Sequence, residues 1–164
     1  MGAIYSVVMS NQTIIASSEM VTITAATAIT SRAHTIRILR AWCAQTATEV
    51  SEQLGIQLCQ QVTAFGTFTG TTPTPHMIGG NASGIAAGTA QAAATSGTDA
   101  SANAAGAKTA IITDGFNNLN GWLWVPVPEE RILVTAGLTI SLAMIGTATA
   151  LGNWSAGITF EELN

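Results

Sequence analysis

The sequence predicts an all-β protein: an antiparallel, jelly-roll-like β-sandwich that carries a long loop or arm rich in Ala, Gly and Thr. Three observations lead to this fold class. Apolar and polar residues alternate with a period of two, β-branched residues are frequent in the alternating segments, and Gly, Asn or Pro separates these segments. A period of two is the repeat of a pleated strand, and many short strands between turn residues are typical of sandwiches.

The alternating segments locate the strands in chain order. We expect strands at residues 3–9, 12–16, 19–24, 33–43, 55–62, 109–113, 121–127, 131–134, 138–145 and 154–162. Residues that interrupt strands, such as Asn11, Gly55, Gly115 and Pro128, separate them. A short helical turn is predicted at residues 48–54, where two glutamates are spaced i, i+3.

Residues 132–151 form an uncharged run that is long enough to cross a bilayer. Within this run, Leu138, Ile140 and Leu142 alternate with small or polar residues, which is the period of a sheet rather than of a helix. No Lys/Arg cluster or aromatic belt flanks the run. We therefore assign it to strands and expect no contact with a membrane.

The low content of charged residues bears on what surrounds the protein. Only 9% of the residues are charged, against about 25% in an ordinary soluble domain, and neither residues 53–98 nor residues 132–160 contain a formal charge. Because charge normally keeps protein surfaces apart in water, we expect much of the surface to be buried in a homo-oligomer or a larger assembly. The net charge of -4 and the 5 basic residues argue against direct binding of nucleic acid, whose phosphates attract many cations.

The chain length of 164 residues fits a single domain, 1–164, but residues 63–107 differ from the rest. This tract of Ala, Gly, Thr and Ser contains almost no large apolar side chain, so it is not expected to build a core. We predict an insertion or arm that either becomes ordered on a neighbouring subunit or is disordered. Deletion of residues 79–106 is accordingly expected to leave the sandwich folded.

The sequence predicts no catalytic, metal or cofactor site. Cys43 and Cys59 lie in apolar surroundings and are expected to be buried thiols, with a disulfide as the alternative. His34 and His76 lack the number and spacing of a metal ligand set. No nucleophile elbow, phosphate-binding loop or dinucleotide fingerprint occurs. We therefore expect a protein that is not an enzyme.

Two pairs of adjacent glutamates invite comparison with glycoside hydrolases, which use two carboxylates. Glu129 and Glu130 are neighbours in sequence, as are Glu161 and Glu162, and neighbours on a strand point to opposite faces. Neither pair by itself places two carboxylates across a sugar bond. We expect both pairs at solvated strand ends.

The segment GWLWVPVPEER, residues 121–131, is apolar on both of its faces. On a strand, Trp122 and Trp124 occupy one face, while Leu123 and Val125 occupy the other. A sheet that is exposed on one side alternates apolar with polar residues, so this strand is expected to be covered on both sides. We expect the second sheet to cover one face and another subunit to cover the other.

The candidate subunit or capsid contacts are Trp122, Trp124, Pro126, Pro128 and Arg131. The two prolines lack an amide proton and are expected at a sheet edge or a strand end. An alternative interpretation of the two tryptophans is a platform against which sugar rings stack.

The order of several segments resembles a family of head decoration, or cement, proteins of tailed bacteriophages, which are encoded beside the major capsid protein. The segments are MGAIYSVVMSNQTI, TIRILRAWCAQT, the Gly/Ala/Thr-rich middle, PVPEERILVTAGLTISL and GITFEEL. The resemblance implies a jelly-roll-like sandwich that is made in the host cytoplasm and assembles as a trimer on the capsid surface of the virion. It also implies that residues 121–131 form scaffold and subunit contact rather than an active site.

Three classes of function stay open at the level of sequence. The first is a structural virion protein that binds the major capsid protein and further copies of itself, without cofactor, nucleic acid or membrane, and stabilises the capsid lattice. The second is a lectin-like, glycan-binding β-sandwich displayed on a virion. The third is a small membrane protein such as a holin.

Overall fold

The computed structural model of the chain describes residues 2–14, 19–25, 35–46, 51–61, 68–71, 74–80, 87–97, 109–146, 148–150 and 152–163, with the backbone alone for 68–71 and 87–97. The strands within these ranges are β1 Ile4–Gln12, β2 Glu19–Ala25, β3 Thr35–Gln45, β4 Gln53–Gln61, β5 Phe68–Thr71, β6 His76–Met77, β7 Ala87–Gly97, β8 Thr109–Asn117, β9 Trp122–Trp124, β10 Leu133–Val134, β11 Thr139–Ile145 and β12 Trp154–Leu163. A single 3-10 turn, Pro128–Glu130, is the helical element found within the same ranges.

The strands form two antiparallel sheets that pack against each other. The first sheet has the order β10-β3-β12-β1-β6, and β9 also pairs with β3, beside β10. The second sheet has the order β5-β7-β2-β11-β4-β8. The prediction of an all-β, antiparallel sandwich is confirmed.

The hydrophobic core lies between the two sheets. Tyr5 and Phe160, which face each other on β1 and β12, stack with ring centroids 5.7 Å apart. Across the sandwich, Phe116 of β8 meets Trp154 of β12 edge to face, with ring centroids 6.3 Å apart. Aliphatic residues fill the rest, and the largest fully buried side chains are Trp154, Phe160, Met9, Ile14, Met20, Ile23, Ile36, Ile38, Ile56, Leu58, Ile140 and Leu142.

The second sheet is buried on both faces at its centre. On β11, Ile140 and Leu142 face the core, and Thr139 and Ser141 occupy the opposite face yet are only 1% and 0% exposed. The Oγ1 atoms of Thr24 and Thr139 lie 2.9 Å apart and share a hydrogen bond. The Ser141 hydroxyl has no hydrogen-bond partner within the described residues. Small polar side chains therefore line a buried face of this sheet.

Asn11 produces a bulge rather than the end of the first strand. The register between β1 and β12 shifts between Met9 and Gln12, and Asn11 has a φ of 50°. Asparagine tolerates this left-handed conformation better than most residues, so β1 continues through Gln12. The predicted strand 12–16 is therefore wrong at its start, and its residues 15 and 16 lie outside the described residues.

Two other boundaries differ from the prediction for identifiable reasons. β9 ends at Trp124 because Pro126 and Pro128 cannot donate hydrogen bonds to a neighbouring strand. β8 continues past Gly115, which pairs with Gly55 of β4. The predicted helical turn is wrong where the structure describes it, since residues 53 and 54 belong to β4; residues 47–50 lie outside the described ranges.

Parts of the Ala/Gly/Thr-rich tract 63–107 form strands of the second sheet instead of a loop or arm. β7 pairs with β2 on one side and with β5 on the other. Alanine and glycine are poor strand formers in isolation, but backbone hydrogen bonds to β2 are available to any residue. Deletion of residues 79–106 would remove β7 and with it the pairing to β2 and β5; the expectation that the sandwich folds without these residues stays a prediction. The remaining residues of the tract, apart from 74–80, lie outside the described ranges.

Candidate contact surface

The segment that contains the candidate contacts runs along the edge of β3. β9 pairs antiparallel with residues 41–43 of β3, and β10 pairs with residues 36 and 37. Gly121 precedes β9 with a φ of 68°, and a Cβ at this position would lie 2.9 Å from the carbonyl oxygen of Cys43. Both the positive φ and the close approach require glycine, which lets the chain turn into β9 beside β3.

The side chains of residues 122–127 alternate between buried and exposed. Trp122 is 7% exposed and Pro126 is buried, and Trp124 is half-buried against the core. Leu123 and Val125 point the other way and are 63% and 62% exposed. The predicted alternation therefore extends beyond the short β9, although the described residues cover only one of its two faces.

The covered face of the segment is held against the second sheet by a hydrogen bond. The Trp122 Nε1–H donates to Asp114 Oδ2 on β8 at 3.0 Å. This bond, followed by one from the Gly115 backbone N–H to Asp114 Oδ1 at 2.7 Å, holds the pKa of the Asp114 carboxyl below its usual value. The second sheet therefore covers the tryptophan face of this segment.

The exposed 3-10 turn carries two carboxylates. Pro128 begins this turn, and its fixed φ suits the first position of a helical turn. Glu129 and Glu130 are exposed and make no ion pair within the described part of the chain. Arg131, which follows, is half-buried, and its Nε has no hydrogen-bond partner among the described residues.

Four exposed apolar residues lie along this margin of the first sheet, and we call them the edge strip: Leu123, Val125, Val127 and Leu133, which are 63%, 62%, 55% and 51% exposed. Of the predicted contact residues, Pro128 and Arg131 lie beside the edge strip. Trp122, Trp124 and Pro126 point away from it, toward the core. The sequence contained the signal for this division, because the aliphatic residues alternate with the tryptophans.

An apolar row continues from the edge strip across the outer face of the first sheet, the face that points away from the second sheet. Cross-strand register aligns Leu123, Trp42, Gly157 and Val8 on neighbouring strands. Gly157 makes room for the indole, because a Cβ at this position would lie 2.6 Å from Trp42 Nε1. Val8, at the far end of the row, is 44% exposed.

Glu161 and Glu162 do not lie at a solvated strand end, which corrects the prediction for this pair. The Oε2 of Glu161 is 3.4 Å from Arg37 Nη1 on β3, and its Oε1 accepts a hydrogen bond from the Gly2 backbone N–H at 3.1 Å. Glu162, on the opposite face, is 8% exposed. The reason is topological: β12 lies between β1 and β3 as far as these residues.

The groups that could take part in catalysis or bind a metal are dispersed. Cys43 and Cys59 are buried thiols that form no disulfide, as predicted, and burial raises the pKa of the Cys43 thiol to about 12. A thiol that is protonated at neutral pH is a poor nucleophile. Within the described ranges, no three His, Cys, Asp or Glu side chains come together in a group that could hold a metal ion. His34 lies outside these ranges.

The part of the chain that the structure describes contains no helix with the length and apolar character needed to span a bilayer. Searches among protein-family models, curated proteins and solved structures give no match to this chain. The functional argument therefore depends on the surface of the chain itself.

Proposed function

We propose that the chain is a structural virion protein that binds the outside of a phage head as an oligomer and stabilises the capsid lattice. Its partners in this proposal are the major capsid protein and further copies of the same chain. The observation that carries the proposal is the edge strip, whose four apolar side chains are each more than half exposed. Clustered apolar side chains on the surface of a folded domain mark protein-binding sites.

The energetics of the edge strip suit a protein that acts through contact area. Burial of each half-exposed Val or Leu side chain would contribute about 1 kcal/mol. One such contact is weak, but an oligomer that engages several capsid subunits at once multiplies the effect. The low content of charged residues, 9%, supports the same interpretation, because a surface with so little charge is better suited to contact with protein than with water.

No comparable observation favours the glycan-binding alternative. Trp122 and Trp154 are buried, and Trp42 and Trp124 are half-buried. A sugar-stacking platform needs an exposed ring face, whereas the most exposed residues of segment 121–127 are aliphatic. The structural role is therefore the one function that we propose.

The proposal can be tested with phage heads that lack their decoration protein. Wild-type protein and a Leu123→Ser, Val125→Ser double variant are added to the heads, and we measure occupancy and the temperature of genome release. Leu119→Ser is the matched control, because Leu119 is 55% exposed but lies in a turn outside the edge strip. We expect the wild type and the control to bind and to raise the release temperature. The double variant should bind about tenfold more weakly or worse, which corresponds to 1.4 kcal/mol.

Heads that neither take up the wild-type protein nor become more resistant to heat would show that the structural role is wrong. Equal binding of the double variant and the control would instead remove the edge strip from the contact. Binding to immobilised glycans would be the next property to measure after the first of these results.

A further inference from the structure

The turn between β8 and β9 contains the one position in the sequence at which glycine follows asparagine, Asn120–Gly121. In such a pair the backbone nitrogen of the glycine can attack the side-chain amide carbon of the asparagine. Glycine allows this attack best, because it has no Cβ to crowd the approach. Two further asparagines, Asn117 and Asn118, lie just before this pair, and their side chains have different surroundings.

The side-chain amides of Asn117 and Asn118 are held by hydrogen bonds. Asn117 Nδ2 donates to Ser51 Oγ at 2.7 Å. Asn118 is only 5% exposed; its Nδ2 donates to Gln45 Oε1 at 2.9 Å, and its Oδ1 accepts from the Glu52 backbone N–H at 3.0 Å. Rotation of either amide toward the backbone nitrogen that follows it would break the bonds that hold it.

The side chain of Asn120 has no such restraint. It is exposed, and it forms no hydrogen bond within the described ranges. The backbone N–H of Asn120 donates to the Asn117 carbonyl oxygen at 3.0 Å, whereas the backbone N–H of Gly121 forms no hydrogen bond within the same residues. The amide carbon of Asn120 and the nitrogen that can attack it are therefore both without a partner that would hold them apart.

We propose that Asn120 is a site of spontaneous deamidation in the folded protein. The backbone nitrogen of Gly121 forms a bond to Asn120 Cγ, the Cγ–Nδ2 bond breaks, and ammonia leaves with the proton of the Gly121 N–H. Water then opens the resulting succinimide ring. Cleavage at Cγ gives aspartate, whereas cleavage at the main-chain carbonyl carbon gives isoaspartate, in which the backbone runs through Cβ and Cγ. The inference does not depend on the proposed function.

The two products differ in their effect on β9. Aspartate adds an exposed negative charge and leaves the course of the backbone unchanged. Isoaspartate adds one carbon atom to the main chain directly before Gly121, whose close approach to the Cys43 carbonyl oxygen leaves little room for a shift. It therefore displaces the start of β9, where Trp122 is buried and donates a hydrogen bond to Asp114 of the second sheet. We expect isoaspartate, but not aspartate, to lower the temperature of unfolding.

The inference is tested by incubating the protein at mildly alkaline pH in heavy-oxygen water, followed by peptide mass spectrometry. Deamidation during the incubation introduces a heavy oxygen, which distinguishes it from deamidation during digestion in ordinary water. We expect Asn120 to convert at least about tenfold faster than Asn117 or Asn118, because glycine follows it and its side chain is unbonded. In urea the two bonded asparagines should convert faster, while Asn120 keeps its rate within about twofold, since it is already open in the native state.

Two variants separate the steps of the reaction. Asn120→Gln keeps an exposed amide but has to close a larger ring, so position 120 should stay unmodified over the same time. Asn120→Asp introduces the charge without the extra main-chain atom, and it should unfold at the temperature of the wild type. The isoaspartate form, separated by chromatography, should unfold several degrees lower.

Three results would overturn the inference. The first is a rate at Asn120 that is no higher than the rates at Asn117 and Asn118 in the folded protein. The second is a rate at Asn120 that rises in urea as much as theirs, which would show that the fold protects this position as well. The third is an isoaspartate form as stable as Asn120→Asp, which would remove the effect on β9. Because no phage head is present, these results are independent of whether the protein binds a capsid.

Discussion

The outer faces of the two sheets differ in a way that residue type does not explain. On the second sheet, outward positions such as Thr139, Ser141 and Gln61 are polar, yet they are at most 2% exposed. On the first sheet, outward positions such as Leu123 and Val8 are apolar, yet they are 63% and 44% exposed. The second sheet therefore buries polar groups within the chain, while the first exposes apolar groups to solvent.

Under the proposed function, the two sheets show two kinds of burial. Polar positions of the second sheet are buried within one chain, whereas apolar positions of the first sheet would be buried only in an assembly. Hydroxyl groups at a buried position can be satisfied by a neighbour, as Thr24 and Thr139 satisfy each other at 2.9 Å. Exposed Leu and Val side chains form no hydrogen bonds, and they leave water only when another apolar surface covers them. Substitutions on each sheet should therefore change different properties, stability for the second sheet and association for the first.

The largest difference is expected between neighbours on the same strand. Trp122→Ala removes a buried aromatic side chain and its hydrogen bond to Asp114, and it should lower the free energy of unfolding by about 3 to 5 kcal/mol. Leu123→Ala, on the exposed face, should change that free energy by less than about 0.5 kcal/mol. Urea denaturation of both variants at a concentration where the protein is monomeric is the measurement. Similar losses in the two variants would contradict the division into inner and outer faces.

A smaller effect is expected at the buried polar face of the second sheet. Thr139→Val breaks the hydrogen bond to Thr24 and should lower the free energy of unfolding by about 1 kcal/mol. Ser141→Ala removes a buried hydroxyl that has no partner within the described residues, so it should leave stability unchanged or raise it by up to about 1 kcal/mol. Thermal unfolding monitored by circular dichroism compares the two. A loss of stability in Ser141→Ala as large as that in Thr139→Val would show that the Ser141 hydroxyl does form a hydrogen bond.

The smallest effect concerns the link between the sheets, and it depends on pH. Because the Trp122 N–H holds the pKa of Asp114 below its usual 3.8, the ionised carboxylate stabilises the fold above that value. This contribution should disappear as the pH falls through the lowered pKa of the folded state. The difference in stability between the wild type and Asp114→Ala should therefore be present at pH 7 and shrink below pH 3.8. A difference that is constant down to pH 2 would exclude the carboxylate as its source.

The sequence was sufficient for the fold class and for most of the long strands. Regular alternation predicted β3, β11 and β12 closely because each has a clear apolar face. The same rule failed for β7, since a strand of small residues shows no alternation and is held by backbone pairing to β2. It also gave no means to see that Asn11 forms a bulge, because a bulge and a strand end use the same residue types.

Of the five candidate contacts, Trp122, Trp124 and Pro126 lie on the covered face of their segment rather than on the exposed one. The prediction favoured Trp122 and Trp124 as contacts because aromatic residues are enriched in interfaces. In the structure Trp122 is instead buried in the sandwich, and its indole N–H donates a hydrogen bond to Asp114 of the second sheet. Which face of a two-sided apolar strand meets the second sheet depends on the pairing with β3, and a sequence does not encode that pairing in any local pattern.

The central claim is that the outer face of the first sheet is covered in the assembled state. Hydroxyl-radical footprinting of the wild-type protein bound to phage heads, compared with the same protein diluted in solution to the point where it is monomeric, tests it directly. We expect oxidation of Leu123 and Leu133 on the edge strip to slow at least fivefold on assembly, while Leu119, outside the strip, oxidises at the same rate in both samples. Unchanged oxidation of the edge strip in fully occupied heads would contradict the account.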